Sequence, residues 1–275
     1  MQQLITFDAM RAAGVQGVRY VKPDQNFVRN EPARGADWVL FPQTWQVNAL
    51  VYALRKRIFP SPAGQHLGYD KIEMTRAIRA LVPEHVPETL ILPSGPSAMQ
   101  QVIDALDFPL VVLPAGRLRS RATRVAGGVF RVDDRATLRR VSERLEVLYA
   151  QELLEMDRDL RVVWVGDRVI AACSREGGDG FHHNLAAGAR LSFAAVPAQA
   201  VALVERIARA LGLNYAGFDI AVVDGWCYML QFNLFFGNDG TNARGVRLGP
   251  EIRSWLERQA SPDHDTPPPA LSRAS

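Results

Sequence analysis

Cysteine is scarce in this chain of 275 residues, which contains only Cys173 and Cys227. Neither residue lies in a CxxC or Cys/His spacing, so the sequence excludes a zinc site of the usual kind. With so little cysteine, a reducing, cytoplasmic setting is the default expectation.

Long apolar runs are also missing. No segment approaches the roughly 20 uninterrupted apolar residues that crossing a bilayer requires. The first residues, MQQLITFDAMRAAG, include early charges and no run of secretory length. We therefore expect a soluble protein with neither a signal peptide nor a membrane partner.

Lysine is rare as well, and arginine supplies most of the basic side chains. The net charge is +3 and the isoelectric point is near 9.1. Scattered arginines usually form a solvated surface, so this balance favours anionic ligands only weakly.

The length and the 48% apolar content allow a sizeable core. Helix and strand signals alternate, which predicts a mixed fold of α/β and α+β lobes. The predicted lobes are an N-terminal α/β lobe at 1–66, a central lobe at 67–150 and a C-terminal lobe at 151–259. A tail at 260–275, rich in proline and small polar residues, is expected to be disordered.

Capping boxes mark two helix starts in the central lobe, since a polar residue is followed three residues later by Glu or Gln. Asp70 with Glu73 marks the first, and Ser97 with Gln100 marks the second. A third helix is predicted to carry an apolar stripe formed by Leu138, Val141, Leu145 and Leu148.

Paired strands are predicted in the C-terminal lobe. RVVWV and RVIAA flank Gly166-Asp167, and FDIAVV and CYMLQFN flank Asp224-Gly225, short links typical of hairpins. Between the hairpins, a helix from Pro197 to Leu211 is expected to end at Gly212.

The last hairpin carries a candidate metal site. Gln231 and Asn233 share a face because strand side chains alternate. A three-residue loop at Asp224 to Trp226 pairs Asp219 with Gln231, whereas a two-residue turn sends Asp219 to the opposite face; we expect the former. Three oxygen-bearing side chains suit Mg²⁺. The alternative is that they are ordinary polar residues on the solvent-facing side of a sheet, because only one of the three is a carboxylate.

Cationic and amide side chains form a candidate phosphate site, since such groups neutralise polyphosphates. Taken singly, each is also explained as a surface residue or a structural hydrogen-bond donor. The members are Lys71, Arg161, Arg175, His182, His183 and Asn184.

A run of arginines after Pro114-Ala115-Gly116 forms a third candidate, made of Arg117, Arg119, Arg121 and Arg124. Such a run grips phosphates or RNA, but no aromatic residues are interleaved to stack on bases. A solvated loop is the favoured interpretation, and a nucleic-acid partner is disfavoured.

From Tyr69 to Asn233, the chain resembles the RimK-type branch of the ATP-grasp superfamily, with glutathione synthetase as a more distant relative. No single segment decides this, but six occur in the family's order. They are GYDKIEMTRAIRAL, FPLVVLP, QELLEMDRDLRVVWVGDRVIAACSR, FHHNLAAGA, LGLNYAGFDIAVV and LQFNLFFG. The resemblance implies two α+β subdomains that clasp ATP, with Mg²⁺, beside a small N-terminal lobe.

The resemblance also implies roles for individual residues. Lys71 approaches the phosphates, Gln151, Glu152, Leu153 and Leu154 line the adenine edge, and Asp159 takes the ribose hydroxyls. Arg175 matches a phosphate-binding arginine, and Arg161 faces the acyl substrate or the transferred phosphate. His182 and Asn184 overlie a nucleotide-contacting stretch. The metal-ligand positions are Asp219, Gln231 and Asn233.

Several positions depart from the family's pattern. Leu113 stands in place of a second phosphate lysine, and Gln231 replaces a glutamate. The segment AGRLRSRATRV replaces a glycine-rich lid, and Ala187 replaces an arginine. The resemblance implies a carboxylate–amine ligase acting on an amino acid or peptide through an acylphosphate. The departures raise an alternative, a degenerate pseudoenzyme that binds a nucleotide or a partner. The sequence names neither substrate and leaves homo-oligomerisation open.

Overall fold

A computed structural model describes residues 2–23, 31–114, 129–176, 190–193, 196–237 and 239–259. The described chain falls into two compact units. The first takes the chain up to Phe59, Val165–Asp167 and the chain from Arg247 onward. The second takes Pro60–Trp164 and Arg168–Val246. The division into lobes expected from the sequence stays a prediction.

The strands of the described residues, in chain order, are β1 Leu4–Thr6, β2 Val18–Tyr20, β3 Trp38–Leu40, β4 Arg57–Phe59, β5 Thr89–Pro93, β6 Leu110–Pro114, β7 Phe130–Val132, β8 Val147–Glu152, β9 Arg158–Val165, β10 Arg168–Glu176, β11 Arg190–Ser192, β12 Tyr215–Val223 and β13 Trp226–Asn233.

The α-helices of the described residues are α1 Glu31–Arg34, α2 Thr44–Asn48, α3 Pro62–Leu67, α4 Lys71–Leu81, α5 Pro96–Ala105, α6 Arg135–Ser142, α7 Ala198–Ala210, α8 Asp239–Ala243 and α9 Leu248–Arg258. A π-helical segment, Ala49–Ala53, continues α2, and a 3₁₀ turn, Pro83–His85, follows α4. Among the described residues, no helix is both long enough and apolar enough to cross a membrane.

The first unit contains a parallel sheet in the order β2-β1-β3-β4. Ile5, Val39 and Ile58 from three of its strands are buried with Leu50 of the π-helical segment. Trp255 of α9 packs with its ring centroid 5.5 Å from that of Trp38. Parallel strands joined by helices form the small α/β lobe that the sequence predicts.

The second unit contains two further sheets. The four-stranded sheet, in the order β5-β8-β6-β7, is antiparallel and buries Val102 of α5 and Leu138 of α6 against Leu110. The five-stranded sheet has the order β11-β10-β9-β12-β13. Ile78 of α4 and Ile207 of α7 are buried in its core. Each sheet with its helices is an α+β layer pair.

Helix α4 begins where the sequence predicts. The Asp70 carboxylate accepts hydrogen bonds from the backbone N–H groups of Ile72 and Glu73, at 3.0 and 3.2 Å. These bonds satisfy donors that the first turn leaves without partners. At the end of α7, Gly212 has a φ of 63° and occupies the expected terminating position.

Two helix predictions in the central lobe are wrong. Helix α5 begins at Pro96 without a side-chain cap, so Ser97 lies inside it. Proline suits the first helical position, because it has no N–H to satisfy and its φ is preset. Helix α6 ends at Ser142, and Leu148 lies in β8. Spacing alone does not separate a helix from a buried strand that follows it.

Candidate functional site

A pocket of about 330 Å³ opens in the second unit, between its two sheets and the start of α4. Eleven residues singled out from the sequence line it together: Lys71, Gln151, Glu152, Leu153, Leu154, Asp159, Arg161, Arg175, Asp219, Gln231 and Asn233. His182, His183, Asn184 and Ala187, and the arginines of 117–124, lie outside the described residues.

The β12–β13 hairpin places Asp219 opposite Gln231 by an unexpected route. Val223 pairs with Trp226, so the link is a two-residue turn and the predicted three-residue loop is wrong. The pairing with Gln231 is nevertheless confirmed, because Ile220 pairs with Met229 and Leu230 is an extra residue on β13. This β-bulge shifts the register by one residue and returns Asp219 to the pocket face.

Asp219 is 4% exposed and accepts hydrogen bonds on both carboxylate oxygens. Nε and Nη2 of Arg161 lie 2.8 Å from Oδ1, and Nη2 of Arg175 lies 2.7 Å from the same oxygen. The amides of Gln231 and Asn233 donate to Oδ2 at 3.0 and 3.2 Å. All three predicted metal ligands therefore meet, but as one acceptor surrounded by donors.

Arg175 joins Asp219 to a second buried carboxylate. Its Nη2 lies 2.7 Å from Oδ1 of Asp159, which is 5% exposed. Burial lowers the pKa of Arg175, but the charges and hydrogen bonds of Asp219 and Asp159 outweigh this effect and leave the pKa raised. Among the described residues, Nε of Arg175 is buried without a hydrogen-bond acceptor. Arg175 thus stays charged and retains an unused donor.

Lys71 occupies the first position of α4 and is half-buried. Within the described part of the chain, its ammonium forms no hydrogen bond or close ion pair. Burial lowers the pKa of Lys71, although the negative charge of Asp219 opposes the shift. The start of a helix also carries partial positive charge. An anion bound here would therefore meet an uncommitted cation.

The segment from Gln151 to Leu154 leaves the sheet at the edge of the pocket. Gln151 donates to the Thr89 hydroxyl at 2.9 Å, and the Glu152 carboxylate accepts from the N–H of Glu88 at 2.8 Å. β8 ends at Glu152. The backbone groups of Leu153 and Leu154 form no hydrogen bond with other described residues, so they are available to a ligand.

Several lining residues were not found from the sequence. Thr75 and Tyr149 share a hydrogen bond of 2.8 Å that joins α4 to β8. Burial raises the pKa of Tyr149. Met74 Sδ accepts the N–H of Phe232 at 3.3 Å. These residues lie on apolar helix and strand faces, where the sequence signals only packing. Leu113, a predicted departure, also lines the pocket.

The pocket fits a nucleotide. Its apolar walls include Val111, Leu113 and Val129. The backbone groups of Leu153 and Leu154, which form no hydrogen bond with other described residues, offer the donors and acceptors that a base edge needs. At the other end, the ammonium of Lys71, which has no hydrogen-bond partner among the described residues, is a donor for phosphate oxygens.

A metal ion held by the protein alone does not fit. Within the described ranges, no group of three or more His, Cys, Asp or Glu side chains converges. Asp219 is the only carboxylate of the predicted ligand set, and both of its oxygens accept hydrogen bonds from arginine or amide groups. Hard cations need free oxygen donors, which this arrangement does not present.

The part of the chain that forms the pocket is similar in sequence to known proteins. The family model for the RimK-like ATP-grasp domain matches residues 72–255. A ribosomal protein bS6–L-glutamate ligase from Escherichia fergusonii is 32% identical over 108 residues, which are 38% of this chain and 36% of that protein. The matches span little more than a third of the first curated relatives.

Solved structures match over most of the chain. An ATP-grasp RimK domain protein from Sphaerobacter thermophilus has a TM-score of 0.66 at 16% identity, covering 93% of this chain and 99% of that one. D-alanine–D-alanine ligase from Bacillus anthracis, complexed with ATP, has a TM-score of 0.61 at 17% identity and covers 87% and 82%. These likenesses confirm the expected ATP-grasp fold.

Proposed function

The chain belongs to the RimK-like ATP-grasp family, and we propose that it is an ATP-dependent ligase that joins a carboxylate to an amine. The observation that carries the proposal is a pocket that brings together eleven sequence-predicted residues. Cations lie at one end, and backbone groups without a hydrogen-bond partner among the described residues lie at the other. The matched curated proteins are named as glutamate ligases.

In the proposed reaction, ATP supplies a phosphoryl group. A carboxylate oxygen of the acid attacks the γ-phosphorus, the bond to the β-phosphate oxygen breaks, and ADP leaves. The amine then attacks the acylphosphate carbonyl carbon, the amide bond forms, and phosphate leaves with the carboxylate oxygen while the amine loses a proton. Catalysis of such steps rests mainly on positioning and charge neutralisation.

The cationic end of the pocket is proposed to hold the phosphates. Lys71, whose ammonium has no hydrogen-bond partner among the described residues, and Arg175 both line this end and are proposed to bind phosphate oxygens. Arg161 is proposed to face the transferred phosphate or the acyl carboxylate. In the free protein, its two contacts with Asp219 hold the guanidinium at the wall of the pocket, next to the position proposed for the phosphates.

The opposite end is proposed to hold the nucleoside. Backbone groups of Leu153 and Leu154, with the segment from Gln151 and Glu152, face the adenine edge. Asp159 is the proposed ribose contact, although its Oδ1 also binds Arg175 at 2.7 Å. One carboxylate would then link the ribose to a phosphate-binding arginine. The contributions of His182 and Asn184 stay predictions.

Magnesium belongs to the proposal as the ion of the nucleotide's phosphates. Asp219, Gln231 and Asn233, which line the pocket, are proposed to lie next to this ion once the nucleotide is bound. The acid and amine are proposed to be an amino acid or a peptide. We propose a cytoplasmic setting, consistent with Cys173 and Cys227 being buried and unpaired.

The pseudoenzyme alternative rests only on substitutions such as Leu113 and Gln231. The matched relatives are named as ligases, which gives that alternative no support. The pocket also contains three cations, Lys71, Arg161 and Arg175.

The proposal is tested by ADP release across a panel of amino acids and short peptides in the presence of Mg²⁺. We expect release that depends on one acid and one amine, and that falls about 10²-fold or more in Lys71→Met. Lys22→Met is the matched control, since Lys22 is exposed and lies in the first unit. ADP release at background across the whole panel would contradict the proposal.

A further inference from the structure

We infer that the free protein holds no divalent cation, and that a single ion reaches Asp219 only together with the phosphates of the nucleotide. The inference rests on the proposed nucleotide site, to which it adds the order of binding and the number of ions. It is carried by the contacts around Asp219 and by the residue that stands at position 231.

Hydrogen bonds occupy both carboxylate oxygens of Asp219. Oδ1 of Asp219 lies within 2.8 Å of three guanidinium nitrogens, and Oδ2 accepts from two side-chain amides. A cation can bind only where a donor withdraws. Within the described parts of the chain, Asp159 is the only other carboxylate bound to these guanidinium groups, through Arg175, so we expect both oxygens of Asp219 to stay occupied in the free protein.

The charge of the groups around Asp219 also opposes the binding of a free cation. Arg161 and Arg175 balance Asp159 and Asp219, and the ammonium of Lys71 is then in excess among the described residues at this end of the pocket, because Glu152 lies at the opposite end, where it accepts from the N–H of Glu88. The cluster is mostly buried, with side chains of Arg175 and Asp219 that are 12% and 6% exposed. Charges interact strongly where water is excluded, so a lone dication is repelled.

A polyphosphate reverses both conditions. Its oxygens are better partners for guanidinium groups than one shared carboxylate oxygen, because Arg binds phosphate through paired hydrogen bonds. Once Arg161 and Arg175 both turn toward phosphate oxygens, Oδ1 of Asp219 is released. The amides of Gln231 and Asn233 can then turn over and present carbonyl oxygens to the ion that the phosphates bring.

The number of ions follows from residue 231. Asp219 is the only carboxylate among the three side chains, and an amide oxygen carries no net charge to offset a second dication. A glutamate at position 231 would supply that charge. Gln231 therefore limits the site to one ion.

The experiment counts Mn²⁺ bound to the full chain, by electron paramagnetic resonance and equilibrium dialysis, with and without ADP. We expect no bound Mn²⁺ at submillimolar concentrations without ADP, and one Mn²⁺ for each bound ADP. Binding to the free protein, or two ions for each ADP, overturns the inference.

Two variants make the test specific. Gln231→Glu adds a carboxylate and is expected to bind Mn²⁺ at least about tenfold tighter without ADP. Arg161→Gln removes two donors from Asp219 and is expected to change binding in the same direction. Gln101→Glu is the matched control, because it adds the same carboxylate at an exposed position outside the pocket and should behave like the wild type. Variants that bind no more Mn²⁺ than the control contradict the role given to the arginines and to residue 231.

The outcome stays separable from the proposed function. If ADP fails to bind with or without the metal, the nucleotide site is refuted, while the ADP-free arm still decides whether the free protein holds an ion. If ADP binds and the free protein also binds Mn²⁺, the nucleotide site stands and the inference is refuted.

Discussion

Nη2 of Arg175 lies 2.7 Å from Oδ1 of Asp219 and also 2.7 Å from Oδ1 of Asp159. The three residues come from β10, β12 and β9, which are neighbours in one sheet. A single buried nitrogen therefore ties two carboxylates together across three strands. The charge pattern of the pocket depends on this junction.

Removing the junction should destabilise the fold. Arg175→Met leaves two buried carboxylates with fewer partners, and an uncompensated buried charge costs about 3–5 kcal/mol. Urea unfolding measures the change. Arg139→Ala is the control, because Arg139 and Glu143 form an exposed pair with side chains 73% and 60% exposed, and such pairs contribute less than about 1 kcal/mol. Equal losses in the two variants would contradict the account.

Gly217→Ala should disturb Arg161 without touching any charge. A Cβ at this position would lie 3.0 Å from Nη1 of Arg161 and 2.9 Å from the Phe236 ring. Displacing a positioned group by about 1 Å costs on the order of 10²-fold in rate. Relief of these contacts needs a smaller shift, so ADP release should fall by less, about tenfold. Gly64→Ala, whose Cβ would have its nearest neighbour at 3.4 Å, should keep full activity. Full activity in Gly217→Ala would separate Arg161 from the reaction.

Leu113→Lys tests whether the missing lysine matters. In an active ligase whose pocket has adapted to leucine, an added cation is repelled by Lys71 and the arginines. We expect kcat to be unchanged or reduced by up to about tenfold, equal to about 1.4 kcal/mol. Leu113→Met keeps the volume without the charge and serves as the control. A large gain in nucleotide affinity without turnover in either protein would instead favour the degenerate alternative.

Nucleotide binding should take up protons at alkaline pH. Burial lowers the pKa of Lys71 in the free protein, so the ammonium loses its proton at a lower pH than an exposed lysine does. Bound phosphates favour the charged form and raise that pKa again. Affinity should therefore fall as pH rises through the lowered pKa. Titration calorimetry in buffers of different ionisation heat measures the uptake, which Lys71→Met should abolish and Lys22→Met should retain. Proton release on binding would refute this sign.

The sequence predicts the site better than the local geometry that builds it. The order of the family motifs predicts Lys71, Asp159 and Asp219 as site residues even where single residues change, and all three line one pocket. The bulge at Leu230 could not be predicted, because an extra residue in a strand leaves no mark in an alternating apolar pattern. The expected pairing of Asp219 with Gln231 is correct, although the loop argument behind it is wrong.

Contacts between segments that are far apart in the chain could not be predicted from the sequence. The bond between Thr75 and Tyr149 joins residues that both occupy apolar faces, and nothing in either segment identifies the partner. The same holds for Arg175, whose two carboxylate partners depend on strand order. Strand order is a property of the whole sheet, and residue types specify it only through long-range packing.

The central claim is that this pocket seats a nucleotide despite Leu113 and Gln231. Calorimetric titration with ADP and with a non-hydrolysable ATP analogue, with and without Mg²⁺, tests it most directly. We predict one site for each chain, with a dissociation constant in the micromolar range that weakens in Lys71→Met. The absence of binding heat for both nucleotides, in a chain shown by unfolding to be folded, would contradict the account.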